Sequence, residues 1–169
     1  FNRIQKGRGF MSVEIERKFK VKDDFRPTSV GTPMAQGYLS RNPKRTVRIR
    51  RAGSRGFLTI KGENHGARRL EYEYEIPAAD AEDLLALCEA PLVEKTRYRE
   101  TVAGHVWEVD VFHGANTGLV VAEIELSAET ETFVLPAWAG AEVTGEKRYY
   151  KSALIAYPYN MWSDAERGH

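Results

Sequence analysis

Glu14, Glu16 and Lys18 stand at i, i+2 and i+4 in a stretch that alternates charged and apolar residues. Side chains of an extended strand alternate with period two, so the two carboxylates and the amine share one face. Like charges two residues apart repel unless something neutralises them. A divalent cation bridging the carboxylates would do so and leave the lysine for an anion. The pattern recurs with both signs. Acidic pairs are Glu71/Glu73, Glu108/Asp110 and Glu123/Glu125, and basic pairs are Arg48/Arg50 and Lys95/Arg97, with Lys61 added to them. The alternate residues are apolar: Val47/Ile49, Val109/Val111, and Ile124 with Leu126. A solvated face is the ordinary reading of any one such strand. The whole set argues against it, because like charges crowded on one face reduce stability.

Charges turned inward need counter-ions of both kinds. Paired hard oxygen ligands favour magnesium or manganese. Arginines and lysines without fixed carboxylate partners favour phosphates. A metal–triphosphate complex satisfies both walls at once. The strands that place these residues would close into a barrel with the charges inside and helices over the apolar outer faces.

The elements can be read along the chain. Strands are expected over 13–21, 36–40, 46–51, 57–61, 69–76, 93–101, 105–111 and 119–126, with Ala103-Gly104 turning one hairpin. A helix is expected over Asp80–Cys88, capped by Asp80, with Ala81, Leu84, Leu85 and Cys88 on one face. A second is expected over Thr144–Tyr157, with Tyr150, Ala153, Leu154 and Tyr157 on one stripe. The segment 23–33 reads as loop, and 127–138 as starting with an acidic turn. The fold class is α+β, a closed antiparallel barrel of roughly eight strands with a charged interior and helices packed outside.

The chain has 169 residues, 42% hydrophobic and 29% charged, with net charge +1. This size suits one domain with a real core. The balanced charge predicts no nucleic-acid and no membrane partner, although Arg41–Arg51 is locally basic and Glu71–Glu75 locally acidic. Cys88 is the only cysteine, which rules out an internal disulfide and a cysteine-based zinc site. A buried structural thiol and a cytoplasmic location are expected. Residues 1–10 read as a leader or an expression remnant, 11–162 as a single domain and 163–169 as a C-terminal tail. Gly140–Lys147 lacks the Gly-Lys-Ser/Thr ending of a P-loop. His65, His105 and His113 lack metal-ligand spacing, and Trp107, Trp138 and Trp162 read as packing residues.

The ordered set Glu14-x-Glu16-x-Lys18, Arg48-x-Arg50, Thr59-Ile60-Lys61-Gly62, Arg69-x-Glu71-x-Glu73, Lys95-x-Arg97, Glu108-x-Asp110 and Glu123-x-Glu125 resembles the CYTH superfamily, the triphosphate tunnel metalloenzymes. The opening run and the segment 118–126 are most similar to the short bacterial inorganic tripolyphosphatases. The resemblance implies an eight-stranded tunnel that holds a triphosphate lengthwise. It implies that Glu14 and Glu16 hold a divalent metal, magnesium or manganese, joined by Glu123 and Glu125. It assigns phosphate oxygens to Lys18, Arg48, Arg50, Lys61, Lys95 and Arg97. Glu71, Glu73 and Asp110 would orient these cations or serve a second metal, and Glu75 and Glu108 share the same faces. A carboxylate from the Glu71/Glu73 wall would position the attacking water, and Lys95 would assist at the terminal phosphate. Lys147, Arg148 and Lys151 would close one tunnel end from the C-terminal helix.

The expected activity is hydrolysis of inorganic tripolyphosphate to pyrophosphate and phosphate. The same fold could instead act on thiamine triphosphate or nucleoside triphosphates, or as a class IV adenylate cyclase. No residue identifies the adenine pocket a cyclase needs. A polyphosphate-binding module is the non-enzyme alternative, disfavoured by the intact Glu14/Glu16 pair. An RNA-binding surface protein is another, and predicts steep salt dependence of RNA affinity. The apolar outer strands and the run Tyr157–Trp162 could support a homodimer.

Overall fold

The computed structural model describes residues 2–4, 15–65 and 68–168, with side chains described over 15–63 and 70–168. The strands are β1 (Asn2–Ile4), β2 (Ile15–Val21), β3 (Thr32–Ser40), β4 (Arg45–Ala52), β5 (Arg55–His65), β6 (Arg68–Ile76), β7 (Val93–Val102), β8 (His105–Phe112), β9 (Val120–Leu126) and β10 (Ala139–Glu142). The α-helices are α1 (Ala78–Leu85), α2 (Ala153–Ala156) and α3 (Asp164–Arg167). The chain divides into two compact units, Phe1–Val13 with Met34–Leu92 and Glu14–Pro33 with Val93–His169. Among the described residues no helix is long and apolar enough to cross a membrane.

In the first unit the strand order is β1-β6-β5-β4-β3, antiparallel throughout. Alternation sends Ile49 and Leu58 to one face and Arg48, Arg50 and Thr59 to the other. Helix α1 covers the apolar face, where Ala35, Ile49, Ile76, Ala81 and Leu85 form the core. The helix begins after Pro77, earlier than Asp80, and no side chain caps it. Proline pre-sets a helix-compatible φ and has no N–H to leave unsatisfied, so it can start the helix unaided. Asp80 falls within the first turn, where its charge faces the positive end of the helix dipole. The helix stops at Leu85, and Cys88 lies beyond it, half-buried, with Sγ 3.4 Å from the Leu84 carbonyl oxygen. Gly56 marks the closest approach: a Cβ there would lie 2.7 Å from Ala81 Cβ.

In the second unit the order is β7-β8-β9-β2-β10, again antiparallel. Its apolar face carries Phe19, Trp107, Val109, Ala122 and Ile124. No helix is needed to cover this cluster. The segment 127–138 lays Phe133 and Trp138 on it, edge to face with Trp107 at 5.6 and 5.7 Å between ring centroids. Glu131 pins that segment by accepting from Ser127 N and Oγ, both at 2.6 Å, and by meeting His105 Nε2 at 2.7 Å. The β7–β8 hairpin turns at Ala103 and Gly104 as expected, both at positive φ (48° and 83°). This is the backbone a right-twisted two-residue hairpin requires.

Two expectations are corrected here. The strands are not a closed eight-stranded barrel: among the described residues nine run from β2 to β10, a tenth, β1, precedes them, and hydrogen bonds do not close them into a ring. β2 has β9 on one side and β10 on the other, while β6 has β5 and β1, so both edges of each are already occupied. The C-terminal helix over 144–157 is also absent. In its place come a 3-10 turn at Lys147–Tyr149, the four-residue α2, another 3-10 turn at Tyr159–Met161 and α3. Tyr150 is extended (φ −69°, ψ 138°), which breaks the helix between Lys147 and Ala153. Aromatic packing sets that path, with Tyr149 and Tyr159 placed 5.1 and 5.0 Å from Trp162. α3 follows with a Ser163/Glu166 capping box, and its last turn is tied to β2 by Lys20 Nζ donating to the Arg167 carbonyl at 2.7 Å.

Candidate active site

Each unit carries one charged sheet face opposite its apolar one. In the first unit Arg48 and Arg50 project from β4, Thr59 and Lys61 from β5, and Glu71 and Glu73 from β6. Register sets them side by side: Arg48 opposite Thr59, Thr59 opposite Glu73, and Lys61 opposite Glu71. Arg48 Nη2 lies 3.3 Å from Thr59 Oγ1 and 3.6 Å from Glu73 Oε1, and Thr59 Oγ1 donates to Glu73 at 3.0 Å. Lys61 and Glu71 are 4.0 Å apart. Arg50 donates through Nε and Nη2 to Gln36 Oε1 at 3.1 and 2.9 Å. Glu75 is drawn to the rim, where Arg55 grips it through two bonds of 2.7 and 2.8 Å.

In the second unit Glu16 and Lys18 come from β2, Lys95 and Arg97 from β7, Glu108 and Asp110 from β8, and Glu123 and Glu125 from β9. Asp110 is the hub. It accepts Lys95 Nζ at 2.7 Å and Arg97 Nε and Nη2 at 2.8 and 2.9 Å, while Arg97 Nη1 reaches Glu108 at 2.9 Å. Burial pushes the Asp110 carboxyl up, but Lys95 and Arg97 outweigh it and hold the group well below the usual carboxylate range. Burial likewise opposes the charge of Arg97, yet its bonds to Asp110 and the nearby carboxylates keep it firmly protonated.

Glu16 and Glu125 stand opposite one another, as do Lys18 and Glu123 and also Glu108 and Glu123. Lys18 Nζ is 3.5 Å from Glu123 and donates to the Tyr149 carbonyl at 3.3 Å. Glu16 is pushed up to about 7 by partial desolvation and then by the charge and hydrogen bonding of Glu123. Glu16 and Glu125 keep solvent access whereas Glu123 is buried. Glu123 moves the other way: burial raises it, and Lys151 and Lys18 lower it further.

Glu14 and the side chain of Arg69 lie outside the described residues, as does the side chain of His65. Among the described residues no three carboxylates, histidines or cysteines form a ready-made metal cluster. His105 and His113 are engaged with Glu131 and Thr96. The loose trio near the C-terminus separates. Arg148 stacks over Tyr149 and Trp162 at 5.4 and 5.6 Å, whereas the charge of Lys151 acts on Glu16, Asp110 and Glu123. Sequence reasoning passed over Gln36, which is uncharged and so invisible to a search for sorted charge. Its only signal is its position two residues before Tyr38, in phase with the arginine face.

The profile of the CYTH domain matches residues 12–154. An inorganic triphosphatase of Acetivibrio thermocellus is 46% identical over 156 residues, spanning 91% of this chain and 100% of that protein. An inorganic triphosphatase of Nitrosomonas europaea is 39% identical over 147 residues, spanning 84% and 96%. The crystal structure of an inorganic triphosphatase superposes with a TM-score of 0.69 at 38% identity, covering 87% of this chain and 97% of that one.

Proposed function

We infer the function from the premise that the chain belongs to the CYTH domain family. It is a hydrolase of phosphoric anhydrides, and its substrate is inorganic triphosphate, cleaved to pyrophosphate and phosphate. One observation carries this reading: Lys18, Arg48, Arg50, Lys61, Lys95 and Arg97 all issue from the two charged sheet faces, none of them from the apolar ones. Three cations on the charged face of one unit and three on that of the other suit a polyanion whose every oxygen accepts hydrogen bonds.

The donor set fits a divalent metal. Glu16 and Glu123 stand on neighbouring strands of one charged face, where the charge of Glu123 helps push Glu16 up, and a hard dication relieves such like-charge crowding. We assign the metal to Glu16 with Glu123 and Glu125, add Glu14 as the further ligand the resemblance implies, and expect magnesium or manganese. When bound, the ion would add positive charge where the phosphate oxygens are most negative. Asp110 was also expected among the ligands. Its bonds to Lys95 and Arg97 favour the other expected role, that of orienting cations.

In this reading the cations hold the terminal phosphate in line with a water. A carboxylate of the Glu71/Glu73 wall orients that water and takes its proton. The new O–P bond forms as the bridging P–O bond breaks, and the bond's electron pair leaves on pyrophosphate. An ammonium has three donors, so Lys95 can serve the terminal phosphate as well as Asp110.

Phosphate release from tripolyphosphate, ATP, thiamine triphosphate and pyrophosphate, with magnesium or manganese and with chelator, tests the proposal. Fast, chelator-sensitive cleavage of tripolyphosphate over ATP is expected. Inertness towards tripolyphosphate would overturn it.

A further inference from the structure

Gln36 lies on β3 opposite Arg50, on the face that also carries Arg48. Its side chain is completely buried, with 0% of the residue exposed. An arginine offers only donors, so the amide must turn its oxygen to Arg50, and Oε1 accepts both Nε and Nη2. The amide nitrogen is thereby turned away from the arginine. Nε2 has no hydrogen-bond partner among the described residues, nor does the nearby Arg48 Nε. Buried donors in folded proteins are nearly always paired, so each unpaired one calls for an explanation. Five other buried side-chain nitrogens are also unpaired among the described residues; Trp107 Nε1, for one, sits in the aromatic cluster on an apolar face. Gln36 Nε2 and Arg48 Nε differ in standing on a cation-bearing face.

We propose that Gln36 is a substrate-binding residue in its own right: Oε1 fixes the Arg50 guanidinium, and Nε2 donates to a phosphate oxygen of the triphosphate. This rests on the reading of the site as a triphosphate hydrolase. An acceptor-only ligand is what a buried amide N–H₂ beside two guanidinium groups can use. A neutral donor also adds a contact without adding charge, so it can sort oxygens by position. The alternative is a purely positioning role, with Gln36 acting only through Arg50.

A double-mutant cycle separates the two roles. KM and kcat for tripolyphosphate are measured for the wild type, Gln36→Met, Arg50→Met and the double variant, with thermal melting of each. A hydrogen bond to a charged oxygen predicts about a tenfold rise in KM for Gln36→Met with kcat little changed. In the Arg50→Met background Gln36→Met should still raise KM about threefold or more. Loss of the effect in that background would reduce Gln36 to a positioning residue and overturn the proposal. If Gln36→Met does not fold, Gln36→Asn, which withdraws the amide by one methylene, is read in the same way. A wild type inert towards tripolyphosphate overturns the hydrolase reading and this inference with it. An active wild type matched by Gln36→Met overturns this inference alone.

Discussion

Lys95 Nζ and Asp110 Oδ2 are 2.7 Å apart, with 0% and 3% of their side chains exposed. Two strands, β7 and β8, therefore meet through an ion pair almost sealed from water, and Arg97 closes it from the side. Breaking one partner of such a pair costs more than the pair contributes, because the remaining charge is left buried. Asp110→Asn should destabilise the protein by about 3–5 kcal/mol in urea unfolding, and tripolyphosphate cleavage should fall with it.

The same residue makes a pH prediction. Asp110 is held below its ordinary value of 3.8 in the folded state, so its contribution is fully present above 3.8. It fades as pH falls below that value towards the depressed folded-state pKa. Acid unfolding of the wild type should steepen below that point, and Asp110→Asn should flatten the limb. An unchanged acid limb in the variant would count against the ion-pair account.

Metal binding can be tested on one carboxylate. Glu16→Ala removes a proposed ligand that is exposed enough to be replaced without damage to the core. Turnover at fixed magnesium should fall about a hundredfold and recover in part as magnesium is raised. Full activity at low magnesium would remove Glu16 from the metal site.

The hairpin turn offers a stability test away from the site. Ala103 occupies a left-handed conformation that costs a non-glycine L-residue roughly 1–2 kcal/mol, and asparagine tolerates it better. Ala103→Asn should raise stability by about 0.5–1 kcal/mol. Gly104→Ala should lower it by about 1 kcal/mol through backbone strain alone, since nothing lies within 4 Å of the added Cβ. Both are read from the denaturation midpoint.

Arg17 and Glu142 fasten β10 to β2 through bonds of 2.8 and 2.5 Å. The Glu142 carboxyl is held down at about 2 by its bonds to Arg17 and Thr144. The pair is largely solvated, so Glu142→Gln should cost only about 0.5–1 kcal/mol at neutral pH. That difference should persist above 4.5 and vanish as pH falls towards 2, since protonation removes the wild-type advantage.

What could be read without coordinates follows from what leaves a periodic mark. Period-two alternation placed Arg48/Arg50, Lys95/Arg97 and Glu108/Asp110 on faces opposite Ile49 and Val109, and the register keeps them there. Residues 139–142 read Ala-Gly-Ala-Glu and carry no such mark; β10 exists because β2 has an edge to pair. The helical stripe at Tyr150, Ala153, Leu154 and Tyr157 was a real periodicity with a different cause. The rings packed on Trp162 are Tyr149 and Tyr159, which lie off the stripe, while Tyr150 is exposed and Tyr157 donates to Glu166; local spacing cannot reveal such partners. The pairing of Asp110 with Lys95 was equally hidden, because a strand pattern gives the face and leaves the partner open.

Residues 34–92 make up most of one unit as a single continuous segment, joined by 1–13, whereas the other is assembled from 14–33 and 93–169. On a ribosome this order matters. The first unit can zip up from neighbouring hairpins as soon as it has emerged. β2 emerges earlier still, yet Arg17 must wait for Glu142, 125 residues downstream. Until β9 and β10 are made, Phe19 and both edges of β2 have no native cover. Such late pairing is slow and exposed to aggregation. The early-synthesised β2 strand is thus where nascent chains of this protein would most need shielding by chaperones.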